Sequence, residues 1–192
     1  MKIVPPKLFY AENRPSWINE VAIPDSVLSI GEGAFSCPIV NSLQMGSNVR
    51  YIGANAFENS VIDESNISRI CLPSVTYIGK EAFIGCNALR EISAPAAVVV
   101  DDEAFAYDFE LTSVVFGNSI QRIGDSAFGE CSRFGSLVLS SSASVPSIGA
   151  NLFGSGGSTV NVYISSGMTS RFMENENWAA LANGSKIQFV EC

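Results

Sequence analysis

The sequence predicts a β-rich repeat solenoid closed by a C-terminal cap that contains helix, and three observations carry that prediction. The stretch Ile-Gly-x-x-Ala-Phe recurs in near copies at Ile30 to Phe35, Ile52 to Phe57, Ile78 to Phe83, Val100 to Phe105, Ile123 to Phe128 and Ile148 to Phe153. Its six phenylalanines follow one another at intervals of 22, 26, 22, 23 and 25 residues, so one short unit repeats along almost the whole chain. Between the copies runs a second pattern, Leu-x-x-Ile-x-Leu, whose period-2 end marks a short strand with two inward apolar residues.

Composition narrows the chemistry. The 192 residues are 47% hydrophobic, enough for a substantial core. Eleven basic residues against 19 acidic ones leave a net charge of -8, which argues against nucleic acid and anionic membranes as partners. Histidine is absent, which excludes Ser-His-Asp and Cys-His catalysis. The five cysteines, Cys37, Cys71, Cys86, Cys131 and Cys192, contain no Cys-x-x-Cys pair, and no metal or cofactor is expected. Residues 1–15 hold no apolar run of signal-peptide length and nothing elsewhere approaches a membrane span, so no membrane insertion is expected.

Residues 1–16, interrupted by Pro5, Pro6 and Pro15, read as an irregular flank that covers the first open edge of the solenoid. The repeats occupy residues 17–165, in six to seven coils. Their strand segments are Ile18/Val21/Ile23, Val40/Leu43/Met45, Ile67/Ile70/Leu72, Leu89/Ile92/Ala94, Leu111/Val114/Phe116, Phe134/Leu137/Leu139 and, more loosely, Thr159/Val162/Ile164. Most stop at a breaker: Pro24, Gly46, Pro73, Pro95 or Gly117. The chain then enters Val-x-x-Ile-Gly-x-x-Ala-Phe. A single coil cannot bury these residues. Stacked coils lay Ile on Ile and Phe on Phe at about 4.8 Å, near the spacing of offset aromatic stacks, so the phenylalanines are expected to form one buried column. The glycine of Ile-Gly serves a tight corner, and Asp101, which replaces it in the fourth copy, should alter that corner. Two longer intervals, Glu58 to Asn66 and Ser140 to Ser144, are expected as bulged loops. Residues 166–192 form the cap: Phe172, Trp178 and Leu181 share a helical face within 168–183, Gly184 stops the helix, and Ile187 to Val190 can add a last strand.

These motifs carry a resemblance. Cys86 to Ala94 with Pro95, and Ile23-Pro24-Asp25-Ser26-Val27 running on to Phe35, are similar to the BspA-like, or Treponema-type, subclass of leucine-rich repeats over roughly residues 17–165. The resemblance implies a right-handed leucine-rich-repeat superhelix with a parallel sheet on its concave side. It also implies a non-enzymatic adhesion or protein-contact role in a bacterial extracellular or cell-surface protein. No signal peptide is visible, so the sequence itself is equally compatible with a cytoplasmic chain.

Stacking in register defines columns. Cys37, Cys86 and Cys131 each stand three residues before a strand and alternate with Glu64 and Asp108, which sets them roughly 9 to 10 Å apart. A disulfide needs Cα atoms within about 4.4 to 6.8 Å, so these thiols are expected to be free and packed. The acids Asp101, Asp102, Glu103, Asp108 and Glu110 lack the spaced order of a calcium loop and read as a solvated turn. On the outward strand face one column runs Glu20, Ser42, Arg69, Glu91, Ser113, Ser136, Asn161, where Arg69 should pair with Glu91. The other runs Ala22, Gln44, Cys71, Ser93, Val115, Val138, Tyr163. Neither column sets two acids side by side, which disfavours a polysaccharide-cleaving β-helix.

The expected function is a binding module, monomeric, whose partner is another protein or a surface glycan. Candidate contact residues are Val115, Val138 and Tyr163, three adjacent apolar side chains, together with Arg69 and Glu91. Two other readings compete: a structural spacer or fragment of a larger surface protein, and the polysaccharide-acting β-helix. For the apolar column itself the competing expectation is burial under the C-terminal helix.

Overall fold

The computed structural model describes residues 2–9, 17–18, 20–36, 39–40, 43–60, 69–139, 144–155 and 158–192. Every strand pairing among them is parallel and runs between successive coils, in continuous register except for a shift between Lys2 and Ile3 in the first pair.

The Leu-x-x-Ile-x-Leu segments build a six-stranded sheet in the order Arg69–Cys71, Glu91–Ala94, Ser113–Phe116, Ser136–Val138, Val160–Ile164 and Ile187–Glu191. In the first two coils the same segments pair as Trp17–Ile18 with Ile39–Val40 and as Val21–Ala22 with Leu43–Gln44. The Val-x-x-Ile segments, read above only as apolar, form a second sheet of seven strands: Lys2–Val4, Val27–Ile30, Tyr51–Ile52, Tyr77–Ile78, Val99–Val100, Arg122–Ile123 and Ser147–Ile148.

One core fills the space between the sheets. Phe35, Phe57, Phe83, Phe105 and Phe128 are buried and stack at 5.2, 5.0, 5.4 and 5.7 Å with ring planes within 14° of parallel. The column extends further than six rings. Phe9 lies 5.5 Å from Phe35 at one end, and Phe134 slips between Phe128 and Phe153 at 4.7 and 5.7 Å at the other.

The turn that carries each phenylalanine is itself a ladder. The second variable position of Ile-Gly-x-x-Ala-Phe is left-handed in all six copies: Gly33, Asn55, Glu81, Glu103, Ser126 and Asn151 have φ between 50° and 57°. From five of these the N–H donates across to the next coil, as from Glu81 to Asp102 O at 3.0 Å and from Glu103 to Asp125 O at 2.9 Å. Gly53 stands at the corner because a Cβ there would sit 2.7 Å from the Glu32 nitrogen of the coil before.

Within the N-terminal flank, residues 2–9 are regular and not the irregular segment expected. Lys2–Val4 is the edge strand of the seven-stranded sheet, with Val4 opposite Ile30. Residues 4–9 repeat the turn, with Lys7 at φ 54° in the left-handed place, and Phe9 on the ring column. Prolines suit this half-coil. Pro5 occupies the corner from which Gly31, Gly53 and Gly79 donate to the preceding coil, at 2.9 Å each, and proline has no N–H to leave unpaired there.

The cap has the expected parts in two short helices, α1 (Thr169–Met173) and α2 (Glu176–Asn183), with Asn175 capping α2 through its side chain. Trp178, Phe172 and Phe189 cluster over the last coil. The Trp178 indole donates to Pro146 O and the Asn177 amide to Ile148 O, both at 2.8 Å, so the helices close the end of the core. Among the described residues no helix is long and apolar enough to cross a membrane.

Candidate functional site

The six-stranded sheet presents two outward columns. The first reads Arg69, Glu91, Ser113, Ser136 and Asn161, and the final strand adds Gln188. Arg69 and Glu91 are directly opposed, and the guanidinium Nε donates to Glu91 Oε2 at 2.6 Å. Both side chains are largely exposed, so the pair orients the face more than it stabilises it. Glu91 is the one carboxylate in these two columns from Arg69 onward.

The second column reads Cys71, Ser93, Val115, Val138 and Tyr163, continued by Val190, which pairs with Tyr163. The structure therefore brings Val115, Val138 and Tyr163 together and adds a fourth apolar residue. Val115 is 38% exposed, while Val138, Tyr163 and Val190 are half-buried. The Phe172 and Trp178 rings of the cap pack on Phe189, which precedes Val190 in the last strand and points to the opposite side of the sheet. A shallow hollow of about 330 Å³ opens beside it, lined by Arg69, Cys71, Glu91, Ser93, Ser113 and Val115. Val190 was missed because nothing around Ile187 repeats the strand motif, although its place next to Tyr163 follows once the last strand is paired.

Cys86 and Cys131 are free and buried, as expected, and burial raises both thiols above their ordinary pKa. Cys37 and Glu64 lie outside the described residues, as do most of the Glu58 to Asn66 and Ser140 to Ser144 loops. Ser60, Cys86, Asp108 and Cys131 each stand three residues after a column phenylalanine. Ser60 Oγ donates to Phe35 O at 2.6 Å, Cys86 Sγ to Phe57 O at 3.1 Å and Cys131 Sγ to Phe105 O at 3.0 Å. Ser60 thus stands in this column one coil before Cys86.

Asp108 takes the same place in the fourth coil and is not part of a solvated turn. It is fully buried, and among the described residues neither carboxylate oxygen meets a hydrogen-bond partner in good geometry. Burial pushes its carboxyl well above the ordinary value, and the nearby Cys86 N–H only moderates the rise. The other acids of that segment are placed differently. Asp101, at the glycine-less corner, accepts from the Tyr77 hydroxyl and from Arg122, both at 2.7 Å, while Arg122 also donates to Asp102 at 2.8 Å. Burial would raise the Asp101 carboxyl, but these bonds outweigh it and hold it low. The bond to Asp101, aided by burial, pushes Tyr77 up to about 12. Among the described residues no three Cys, Asp or Glu side chains group as metal ligands.

Among curated proteins no sequence matches the chain. Two solved structures are similar at low identity: a pneumococcal vaccine antigen, PcpA, at 13% identity and TM-score 0.49, and a leucine-rich repeat protein from Bacteroides ovatus at 17% and 0.39. The chain is covered over 91% and 99% of its length in these matches and spans 56% and 68% of the two proteins. A family description, BspA type Leucine rich repeat region, matches six copies over residues 8–87 and 63–176. With its six copies spread over most of the sequence, its two parallel sheets and its phenylalanine column, the chain belongs to the BspA-type leucine-rich repeat family.

Proposed function

We propose that the chain is a non-enzymatic protein-binding module of an extracellular or cell-surface protein, with the outward face of the six-stranded sheet as its contact surface. One observation carries the reading: Val115, Val138, Tyr163 and Val190 form a continuous apolar row on four adjacent strands, with Val115 38% exposed. Inward residues account for the fold, so an outward apolar row of this length has no role in the core. Tyrosine at its centre supplies a broad apolar ring with a polar tip, a residue type enriched where partners bind. The Arg69–Glu91 pair stands at the other end of the sheet and fixes orientation through charge.

A comparison of proteins retained by the wild-type chain and by the double variant Val138→Asp, Tyr163→Ala, from the surface fraction of the native cells, tests the reading. Retained proteins should be lost by the variant while its unfolding midpoint stays nearly unchanged. Retention of the same proteins by the folded variant would refute it.

A further inference from the structure

A second surface, independent of the sheet face, lies on the turn that follows Phe105. Tyr107 and Phe109 are 48% and 46% exposed, and their rings meet edge to face at 6.4 Å. The fold does not ask for aromatics here. In the coil before, the same positions hold Gly85 and Asn87, and in the coil after, Glu130 and Ser132. Tyr107 is also left-handed, at φ 61°, a conformation that Gly85 and Glu130 share but that disfavours a bulky ring. A strained, exposed aromatic that its neighbours replace with small or polar residues is kept for something other than stability.

The surroundings say what it would meet. Beside Phe109 opens a hollow of about 510 Å³, lined by Asn87, Ala88, Arg90, Phe109, Glu110 and Arg133. Arg90 and Arg133 both approach the same oxygen, Glu110 Oε2, at 3.7 and 2.6 Å. Two guanidiniums share one carboxylate, so the hollow carries a surplus positive charge on a chain whose net charge is -8. A second carboxylate would complete the pairing, because the planar fork of arginine matches carboxylate geometry.

We propose that this hollow binds an acidic peptide segment of a partner protein, with an Asp or Glu between Arg90 and Arg133 and an adjacent apolar side chain in the notch between Tyr107 and Phe109. The perpendicular rings, at 82°, favour a peptide over a carboxylated sugar, since they offer a notch and not a flat stacking platform. The Arg pair supplies the charge-assisted bonds and the exposed rings the apolar contact.

Selection of a random peptide library on the full chain tests this, followed by anisotropy titration of the enriched peptide. Enriched sequences should place Asp or Glu beside an apolar residue, and their binding should weaken with added salt. Either double variant, Arg90→Gln with Arg133→Gln or Tyr107→Gly with Phe109→Ser, should weaken binding at least tenfold. Tyr107→Gly suits the left-handed backbone, so the unfolding midpoint of that variant should not fall. The sheet-face variant Val138→Asp, Tyr163→Ala should bind the selected peptide normally, which separates failure of this site from failure of the other. No enrichment, enrichment of basic or purely apolar sequences, or equal binding by both turn variants would overturn the proposal. So would oligogalacturonate binding the hollow more tightly than any peptide, which would assign it to carboxylated sugars.

Discussion

Replacing Asp108 with cysteine should stabilise the protein, and the gain should depend on pH. The three equivalent residues, Ser60, Cys86 and Cys131, each donate to the phenylalanine carbonyl one coil back, whereas Asp108 is buried with both oxygens unpartnered among the described residues. A buried polar group without a partner costs about 1–3 kcal/mol, and more when charged. Cysteine removes that cost and adds a weak bond of the kind its neighbours make to carbonyls, so the gain at pH 8 should be about 1–3 kcal/mol. Because the folded protein raises the carboxyl above the ordinary 3.8, the stability that Asp108 allows is fully present below pH 3.8. It is lost as pH rises toward the folded value, by at most about 1.4 kcal/mol per pH unit. Paired urea titrations of wild type and Asp108→Cys at pH 4 and pH 8 provide the measurement. The difference between the two proteins should be small at pH 4 and largest at pH 8. A difference that does not change with pH, or a variant less stable at pH 8, would show that the carboxylate has a partner in the fold.

Phe105→Ala, which opens a gap between Phe83 and Phe128 in the middle of the ring column, should cost about 3–5 kcal/mol in the same titration. A loss below about 1 kcal/mol would contradict its burial. In the folded protein a thiol reagent at pH 8 should modify exposed Cys71 and Cys192 within minutes but leave Cys86 and Cys131 untouched until denaturant is added. Prompt labelling of either buried thiol would show that the column opens on that timescale.

The phenylalanine column and the strand register were legible because each rests on a repeated interval: a residue with the same neighbours in six copies has the same environment in six copies. The same property hid the exceptions. Pro5 and Pro6 interrupt the sequence because proline usually costs a hydrogen bond, yet Pro5 stands where Gly31, Gly53 and Gly79 donate to the coil before, and among the described residues Lys2–Val4 is the edge strand. Asp108 read as solvated because of its charge, although its distance from Phe105 matches that of Cys86 from Phe83 and of Cys131 from Phe128. Val115, Val138 and Tyr163 were found by following outward positions down the strands, and Val190 escaped for want of a motif. Tyr107 and Phe109 carry no repeated signal, because they are aromatics at turn positions where adjacent coils have Gly, Asn, Glu and Ser.

The left-handed turn position has a consequence for how such a chain changes length. It accepts glycine, asparagine, glutamate and serine with φ differing by no more than 7°, and its geometry is the same in every coil. A whole period is therefore an interchangeable cassette. Excising the 22 residues from Ile84 to Phe105 would join Phe83 to Ala106 at matching points of the turn and bring Phe83 against Phe128, with both sheets shorter by one strand. Duplication would lengthen them by one. Growth and loss by whole coils thus leave the terminal half-coil and the helical cap unaltered, while each step moves surface features such as the Tyr107–Phe109 turn nearer to or farther from the cap by one rung.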